Sequence, residues 1–174
     1  AKQAGINVAE TSILKAGKQY HTMLSKRFDR KENGRRVHFA SAMTLLGLTD
    51  GCNADTGNGY LDIVDFIIQS CCDVEANLRE LYRRVAFNIC VGNSDDHFRN
   101  HGFLLTPHGW TLSPAYDINP TVNEYQSILI TTSSNEANLG LLLEAAKDYM
   151  IPDRVAESII RKVVQVVSSW KTLA

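Results

Sequence analysis

The sequence has 174 residues, of which 44% are hydrophobic and 21% are charged. A chain of this size and composition forms one globular domain, or a large piece of one, with a sizeable core. The formal net charge of -1 argues against a general electrostatic attraction to nucleic acid or to an anionic membrane.

The four cysteines form no CxxC pair and have no histidine at metal-ligand spacing; they are Cys52, Cys71, Cys72 and Cys90. We therefore expect them to be reduced, which is typical of a cytosolic protein. Residues 1–20 contain no basic-then-apolar signal sequence, and no apolar run approaches the roughly 20 residues of a membrane span. The sequence predicts a cytoplasmic protein that contacts no membrane.

The chain opens on residues typical of a helix end. Gly5 within Ala1–Ile6 has the place of a C-terminal helix stop. There is no initiator Met and no preceding helix that would end there. We therefore expect the sequence to begin inside a longer protein.

A hairpin and a polar loop are predicted next. Residues 8–15 and 19–28 are interpreted as two strands joined around the turn at 16–18. Residues 30–36 are polar with a central glycine, which predicts a loop. Basic residues cluster within 26–36, and such a run is more typical of a solvated loop than of a binding site.

The middle of the chain predicts three helices and one loop. Apolar residues from Val37 to Leu46 indicate a helix that ends at Gly47. The segment 50–58 predicts a loop, and it lacks the register and terminal Glu of a calcium-binding EF-hand. Helices are predicted at 61–71 and, with a clear three-and-four spacing of apolar residues, at 74–91.

The last third of the chain predicts a short hairpin at 103–112 and two helices. The first helix lies near 137–149, and Pro152 fits the start of the second. The second helix has one apolar stripe, formed by Val155, Ile159, Ile160, Val163, Val167 and Trp170. The elements together predict an α+β chain that is mostly helical.

The segment Gly92–Asn100 is polar and acidic although apolar sequence precedes and follows it. Charged groups between core-forming elements are costly unless they are satisfied or used. A kinase uses one Asp to orient the attacking hydroxyl, and an Asn and a later Asp to hold magnesium. Asp95, Asn100 and Asp117 have these residue types at that spacing. The alternative is that Asp95, Asp96 and Asn100 only cap turns around a hairpin.

Residues 84–120 closely resemble the core signature of the HipA-like kinases, the bacterial toxin kinases of type II toxin–antitoxin pairs. Members of that family carry a GN-[ST]-D-x-H-x-[KR]-N loop, then a hairpin and a Tyr-Asp motif. Here the loop reads GNSDDHFRN at Gly92–Asn100, and Tyr116-Asp117 follows the hairpin. Leu24–Arg30 is similar to the interlobe hinge strand, and the segment 37–47 to the helix after it.

The resemblance implies a protein-kinase-like C-terminal lobe with a hinge hairpin and a small catalytic hairpin. Residues 1–30 would form the end of the N-lobe and the interlobe hinge. Residues 31–174 would form the helical C-lobe, with the catalytic and metal-binding loops.

The resemblance also implies the site residues. Asp95 would be the catalytic base, and Asn100 and Asp117 would be magnesium ligands. The residues that would bind the nucleotide are Lys26, Arg27, Phe28, His97, Arg99, Asn100, Tyr116 and Asp117. Of these, residues 26–28 would give backbone hydrogen bonds to adenine.

Alternatives stay open for several of these side chains. His97 is equally compatible with a hydrogen bond to the loop backbone, and Arg99 with a solvent-facing position. We interpret Asp96 as incidental, and His101 and His108 as surface or turn residues rather than ligands.

ATP and Mg²⁺ are the cofactors that the resemblance implies, and a protein hydroxyl is the acceptor, with aminoacyl-tRNA synthetases as the substrate class. The implied partner is a helix-turn-helix antitoxin of HipB type, through which DNA would be contacted only indirectly. The family's N-terminal lobe carries a phosphate-binding loop and a nucleotide lysine, and this sequence contains neither. We therefore expect the fragment alone to be inactive or nearly so.

Two other functions are considered for the same sequence. One is a non-catalytic subunit of a DNA-bound toxin–antitoxin repressor, which would not need all three of Asp95, Asn100 and Asp117. The other is a magnesium-dependent hydrolase, which would need a water-activating group that the sequence does not reveal.

Overall fold

The computed structural model of the chain describes residues 1–121 and 123–169. The strands and helices follow in the order β1 (Thr11–Ala16), β2 (Tyr20–Ser25), β3 (Phe39–Ser41), α1 (Ala42–Leu45), α2 (Tyr60–Ser70), α3 (Val74–Val91), β4 (Gly102–Thr106), β5 (Gly109–Leu112), α4 (Leu139–Glu144) and α5 (Asp153–Ser168). Short 3-10 turns lie at Lys2–Ala4, Ala54–Thr56 and Ala145–Lys147. The mostly helical α+β prediction is confirmed.

The predicted N-terminal hairpin is present, but its strands are shorter than the predicted segments 8–15 and 19–28. Strands β1 and β2 pair antiparallel, with Thr11 opposite Ser25 and Ala16 opposite Tyr20. All residues of both strands are exposed, including apolar side chains such as Ile13, which is 74% exposed. The hairpin therefore contributes no side chain to the core.

The second sheet contains one strand more than the sequence predicted. Strands β4 and β5 form the predicted small hairpin, and β3 pairs antiparallel with β4, Phe39 lying opposite Leu104. The helix prediction for residues 37–41 is therefore wrong, and α1 begins only at Ala42. Pairing with β4 satisfies the backbone groups of residues 39–41, so tertiary contact overrides the local helical pattern.

Helices α2, α3 and α5 supply most of the core, and the predictions for them are confirmed with small shifts. Tyr60, Ile63 and Ile67 of α2 are fully buried. Leu81 and Val85 of α3 are also fully buried. Each buried aliphatic side chain of this kind contributes about 1.5–3 kcal/mol to folding.

The C-terminal helices differ from the sequence prediction in their ends. Helix α4 stops at Glu144, and a 3-10 turn replaces the predicted continuation to residue 149. Pro152 is the N-cap of α5 rather than its first helical residue. Ala156, Ile159 and Val163 are the buried side chains of the α5 stripe, and its predicted last member, Trp170, lies outside the described residues.

Two further sequence predictions concern the whole chain. All four cysteines are free, as expected. Within residues 1–121 and 123–169, none of the helices combines the length and the apolar character that crossing a membrane requires.

Candidate active site

The acidic loop at Gly92–Asn100 begins where α3 ends. Gly92 adopts a left-handed conformation, with φ of 68°, and its N–H donates to carbonyl oxygens of the last helical turn. Glycine takes this conformation without steric cost, which explains the abrupt stop that the sequence predicted. Asn93 then pairs with Asn88 through both its backbone N–H (2.9 Å) and its side-chain amide (3.1 Å). The loop thus leaves the helix along a fixed path.

Asp95 and Asn100 lie close together in this loop. Asp95 is exposed, whereas Asn100 is buried. The Asn100 side-chain Nδ2 donates to the Asp95 carbonyl oxygen at 3.2 Å, and its backbone N–H donates to the His97 carbonyl at 2.8 Å. The amide nitrogen of Asn100 is thereby engaged, which leaves its Oδ1 as the atom able to hold a cation.

The second loop, which carries Asp117, lies against the first. The Tyr116 hydroxyl donates to the Arg99 carbonyl oxygen at 2.6 Å. The Thr121 backbone N–H donates to the Gly92 carbonyl at 2.8 Å. The neighbour of Asp117 in sequence is therefore bonded to the neighbour of Asn100.

Asp117 itself is exposed and has a left-handed backbone, with φ of 57°. This conformation is uncommon for residues other than glycine, although Asp and Asn adopt it more readily than most. Its Oδ1 accepts a hydrogen bond of 2.6 Å from the Asn119 side chain. That bond orients the carboxylate at the surface of the loop.

The donor set of Asn100 and Asp117 fits Mg²⁺ in its chemistry. Both residues offer hard oxygen atoms, which Mg²⁺ prefers, and Mg²⁺ is usually held by one or two carboxylates together with phosphate oxygens. Across the described parts of the chain, no group of three or more His, Cys, Asp and Glu side chains is arranged to hold a metal ion. A kinase-type site does not need such a group, because the nucleotide supplies the remaining oxygens.

Asp96 is the centre of a buried polar network that the sequence did not predict. Its Oδ2 accepts hydrogen bonds from the Tyr60 hydroxyl (2.6 Å), the Asn88 amide (2.7 Å) and the ring Nε2 of His101 (2.8 Å). Burial alone would raise the pKa of Asp96, but the charge and hydrogen bond of His101 and the other two donors outweigh it and lower the pKa. Asp96 is therefore ionised and holds the loop against α2 and α3.

This network corrects two interpretations. Asp96 is not incidental to the loop, and His101 is buried rather than at the surface. His108 is exposed in the turn of the small hairpin, as predicted. A sequence signal for the network did exist, because Asn88 lies among the apolar residues of α3, where a polar side chain needs a partner.

The predicted hinge residues lie just after β2. The Lys26 backbone N–H donates to the Glu10 carbonyl at 2.8 Å, so this donor is already used within the hairpin. The Arg27 guanidinium pairs with Asp29, and its hydrogen bond is the largest cause that lowers the pKa of that carboxyl to about 2. The Phe28 ring stacks on Tyr116, with ring centroids 5.9 Å apart. Of the three, Phe28 is the residue that contacts the Asp117 loop.

The two remaining predicted residues face another part of the surface. The Arg99 Nη2 lies 2.6 Å from the Asp50 Oδ1, and both side chains are largely solvent-exposed. Arg99 lowers the pKa of Asp50 through a hydrogen bond and its charge. Among the described residues, the buried Nδ1 of His97 has no hydrogen-bond partner, so that nitrogen is not used to hold the loop backbone. Arg99 and His97 share the lining of a small cavity of about 140 Å³ with Asp50.

The two candidate carboxylates, Asp95 and Asp117, line different cavities. A cavity of about 830 Å³ lies between the N-terminal hairpin and the Asp117 loop, and its lining includes Thr11, Met23, Tyr116 and Asp117. A second cavity, of about 580 Å³, includes Asp95 in its lining. The structure therefore brings the two loops together, but Asp95 faces one cavity and Asp117 the other.

Comparisons with known proteins give consistent matches. A family model described as the HipA-like C-terminal domain matches residues 1–170. A putative kinase of Haemophilus influenzae is 28% identical over 141 residues, which cover 75% of this chain and 41% of that protein. The serine/threonine-protein kinase toxin HipA of Shewanella oneidensis is 30% identical over 135 residues, covering 68% of this chain and 31% of the relative. The chain thus spans less than half the length of these curated relatives.

Two solved structures share the fold. One is a chain of the Shewanella oneidensis HipA, HipB and operator DNA complex, with a TM-score of 0.79 and 21% identity over 95% of this chain and 44% of that chain. The other is the Helicobacter pylori proinflammatory kinase CtkA, with a TM-score of 0.57 and 13% identity over 98% of this chain and 78% of that chain. At these identities the likeness shows a shared fold and no more.

Proposed function

This chain belongs to the HipA-like C-terminal domain family, and from that premise we propose that it is the catalytic-base and metal-binding part of an ATP-dependent serine/threonine protein kinase. Residues 1–30 would be the end of the N-lobe and the interlobe hinge, and residues 31–174 the C-lobe. Relatives with kinase names support this proposal.

In the proposed reaction, the Asp95 carboxylate accepts the proton of a protein hydroxyl. The hydroxyl oxygen forms a bond to the γ-phosphorus of ATP, the bond from that phosphorus to the bridging oxygen breaks, and ADP leaves. Asn100 and Asp117 would hold Mg²⁺, which neutralises phosphate charge when bound. Phe28 and Tyr116 would give the nucleotide an aromatic wall beside the hinge.

The observation that supports this proposal most directly is the hydrogen bond of 2.6 Å from the Tyr116 hydroxyl to the Arg99 carbonyl. It ties the residue before Asp117 to the residue before Asn100. Burial raises the pKa of Tyr116 to about 12, so the hydroxyl keeps its proton and can donate at all physiological pH values. A bond that fixes two loops at the positions next to two proposed metal ligands is expected of a preorganised metal site.

The test compares Mg·ATP binding and phosphate transfer by the full-length protein with those of its Asp95→Asn and Asp117→Asn variants. Loss of a general base lowers the rate by about 10²–10⁴-fold, so Asp95→Asn should still bind Mg·ATP but transfer phosphate far more slowly. Asp117→Asn should weaken Mg·ATP binding itself.

A matched control is Glu157→Gln, which makes a similar change on the exposed face of α5 and should leave both measurements unchanged. Unchanged transfer in both active-site variants would sink the assignment. Unchanged transfer in Asp117→Asn alone would remove Asp117 from the metal site.

The family resemblance supports a protein acceptor of the aminoacyl-tRNA synthetase class. The presence of HipB and operator DNA in the complex of the structural neighbour supports a HipB-type antitoxin as partner, with DNA contacted through that antitoxin. Because the sequence carries neither a Gly-rich phosphate loop nor a strand lysine, the isolated 174-residue chain should transfer phosphate poorly or not at all.

A further inference from the structure

The cavity beside Asp95 has an unusual wall. Its volume is about 580 Å³, and its polar lining includes Asn53, Asp55, Ser94, Asp95, Gln126 and Asn135. Gln126 comes from the irregular segment between β5 and α4, and no feature of the sequence singles it out. This side of the cavity takes no part in the proposed phosphate transfer.

Gln126 is buried, with 2% of its surface exposed. Among the described residues, neither its Nε2 nor its Oε1 has a hydrogen-bond partner. Nearly all buried amides in folded proteins are paired, and an unpaired one is destabilising. Gln126 lines the cavity, and a change between staggered rotamers of its side chain would bring the carboxamide into that space.

Backbone hydrogen bonds fix Gln126 beside the catalytic loop. The Ser127 N–H donates to the Ser94 carbonyl at 3.0 Å, which joins the neighbour of Gln126 to the neighbour of Asp95. The Gln126 N–H donates to the Asn135 carbonyl at 2.7 Å, and the Asn135 side chain donates to the Gln126 carbonyl at 2.6 Å. The main chain of Gln126 is therefore held firmly without any help from its side chain.

The chemistry of the cavity selects one kind of ligand. The Gln126 carboxamide offers both donors and an acceptor, which is the complement of a peptide amide. The carboxylates of Asp55 and Asp95 line the same cavity, and its described lining includes no lysine or arginine, so a phosphate group would be repelled. The cavity that Asp117 lines includes Lys2 beside the carboxylates of Glu10 and Asp117, so the nucleotide is better suited to that cavity.

We propose that the Gln126 carboxamide binds a backbone amide of the acceptor polypeptide, next to the residue whose hydroxyl is presented to Asp95. This inference rests on the proposed kinase function, and it makes Gln126 a positioning residue for the acceptor. The acceptor and the nucleotide then approach the paired loops from two different cavities.

The experiment uses small acceptor mimics and no nucleotide. The full-length protein is labelled with ¹⁵N-glutamine, and the side-chain amide signal of Gln126 is assigned as the one lost in Gln126→Leu. Two probes are titrated, N-acetylserine N-methylamide and N-acetylserine methyl ester. The ester lacks one peptide N–H but keeps the hydroxyl and the overall shape.

The native protein should bind the amide probe about three- to tenfold more tightly than the ester, which is the usual effect of one net hydrogen bond. The Gln126→Leu variant should bind both probes equally. The control variant Gln165→Leu, on the exposed face of α5, should discriminate as the native protein does. The Gln126 signal should shift with the amide probe at a concentration where the ester has little effect.

Three outcomes would overturn the inference: equal affinity of the native protein for the two probes, undiminished discrimination by Gln126→Leu, or no binding of either probe. Folding of Gln126→Leu is checked by its thermal midpoint, which should not fall, because an apolar side chain replaces an unpaired buried amide. If it does fall, Gln126→Met supplies the same test. Because no nucleotide is present, this result is independent of the transfer assay on the Asp95 and Asp117 variants.

Discussion

The acidic loop at Gly92–Asn100 contains residues predicted to bind the nucleotide, and others follow directly after the N-terminal hairpin, but the protein holds these two regions in opposite ways. The loop at Gly92–Asn100 is anchored by the buried carboxylate of Asp96, which has three hydrogen-bond donors. Strands β1 and β2 bury none of their side chains. The residues that would perform chemistry are fixed by the core, whereas the hinge side depends on its own backbone pairing and on surface contacts. Regions of the second kind open more easily than regions of the first.

The largest loss of stability is expected from Asp96→Asn, because this change removes the buried anchor that distinguishes the acidic loop from the hairpin. In the native protein, the side chains of Tyr60, Asn88 and His101 all donate to the Asp96 carboxylate. The change removes this ionised acceptor and places an amide donor against the three buried donors. We expect a loss of about 3–5 kcal/mol in the free energy of unfolding, measured by urea denaturation. The matched control is Asp95→Asn, one residue away but exposed, which should change stability by less than about 0.5 kcal/mol. Equal stability of the two variants would mean that the network does not hold the loop.

A smaller change in stability is expected when the pH is lowered. The pKa of Asp96 is lower in the folded protein than in the unfolded chain, so the ionised carboxyl stabilises the fold above the unfolded pKa of about 4. That contribution is lost as the pH falls through the folded pKa. The stability difference between the native protein and Asp96→Asn should therefore become smaller below about pH 4. A difference that grows on acidification would show that Asp96 is protonated in the native loop.

The smallest change in the free energy of unfolding is expected from a substitution in the N-terminal hairpin. Ile13→Ala removes an apolar side chain that is 74% exposed, and we expect a change within about 0.5 kcal/mol. Ile67→Ala makes the same change at a fully buried position of α2 and should cost about 2–5 kcal/mol. Both variants are compared by urea denaturation. A large loss in Ile13→Ala would show that the hairpin is packed against another part of the full-length protein.

The sequence predicted those elements whose structure depends on local pattern. The apolar spacing of α3 and its stop at Gly92 were both visible, because helix periodicity and glycine conformation are properties of neighbouring residues. Strand β3 was not visible in the local pattern. Phe39 pairs with Leu104, which lies 65 residues away along the chain, and only the folded sheet joins them. The local pattern favoured a helix at these residues, but pairing with β4 makes Phe39–Ser41 a strand.

The candidate site was predictable to a similar degree. Residue type and spacing identified Asp95, Asn100 and Asp117, and the roles proposed for them stay predictions. Spacing did not reveal that Asp96 points inward while Asp95 points outward, because successive loop residues have no fixed alternation. Gln126 carries no sequence signal, since the role proposed for it rests on a buried amide without a partner among the described residues, which only the folded structure reveals.

The position of Tyr116 has a consequence for how ligands influence one another. One face of its ring stacks on Phe28 in the predicted hinge, and its hydroxyl donates to the Arg99 carbonyl oxygen in the acidic loop. A ligand that shifts Phe28 therefore changes the surroundings of the residue next to Asp117. Such coupling is reciprocal in free energy, so a cation at Asp117 would alter the affinity of the hinge for its ligand by the same factor. In the proposed site, Tyr116 would therefore couple nucleotide binding at the hinge to cation binding at Asp117.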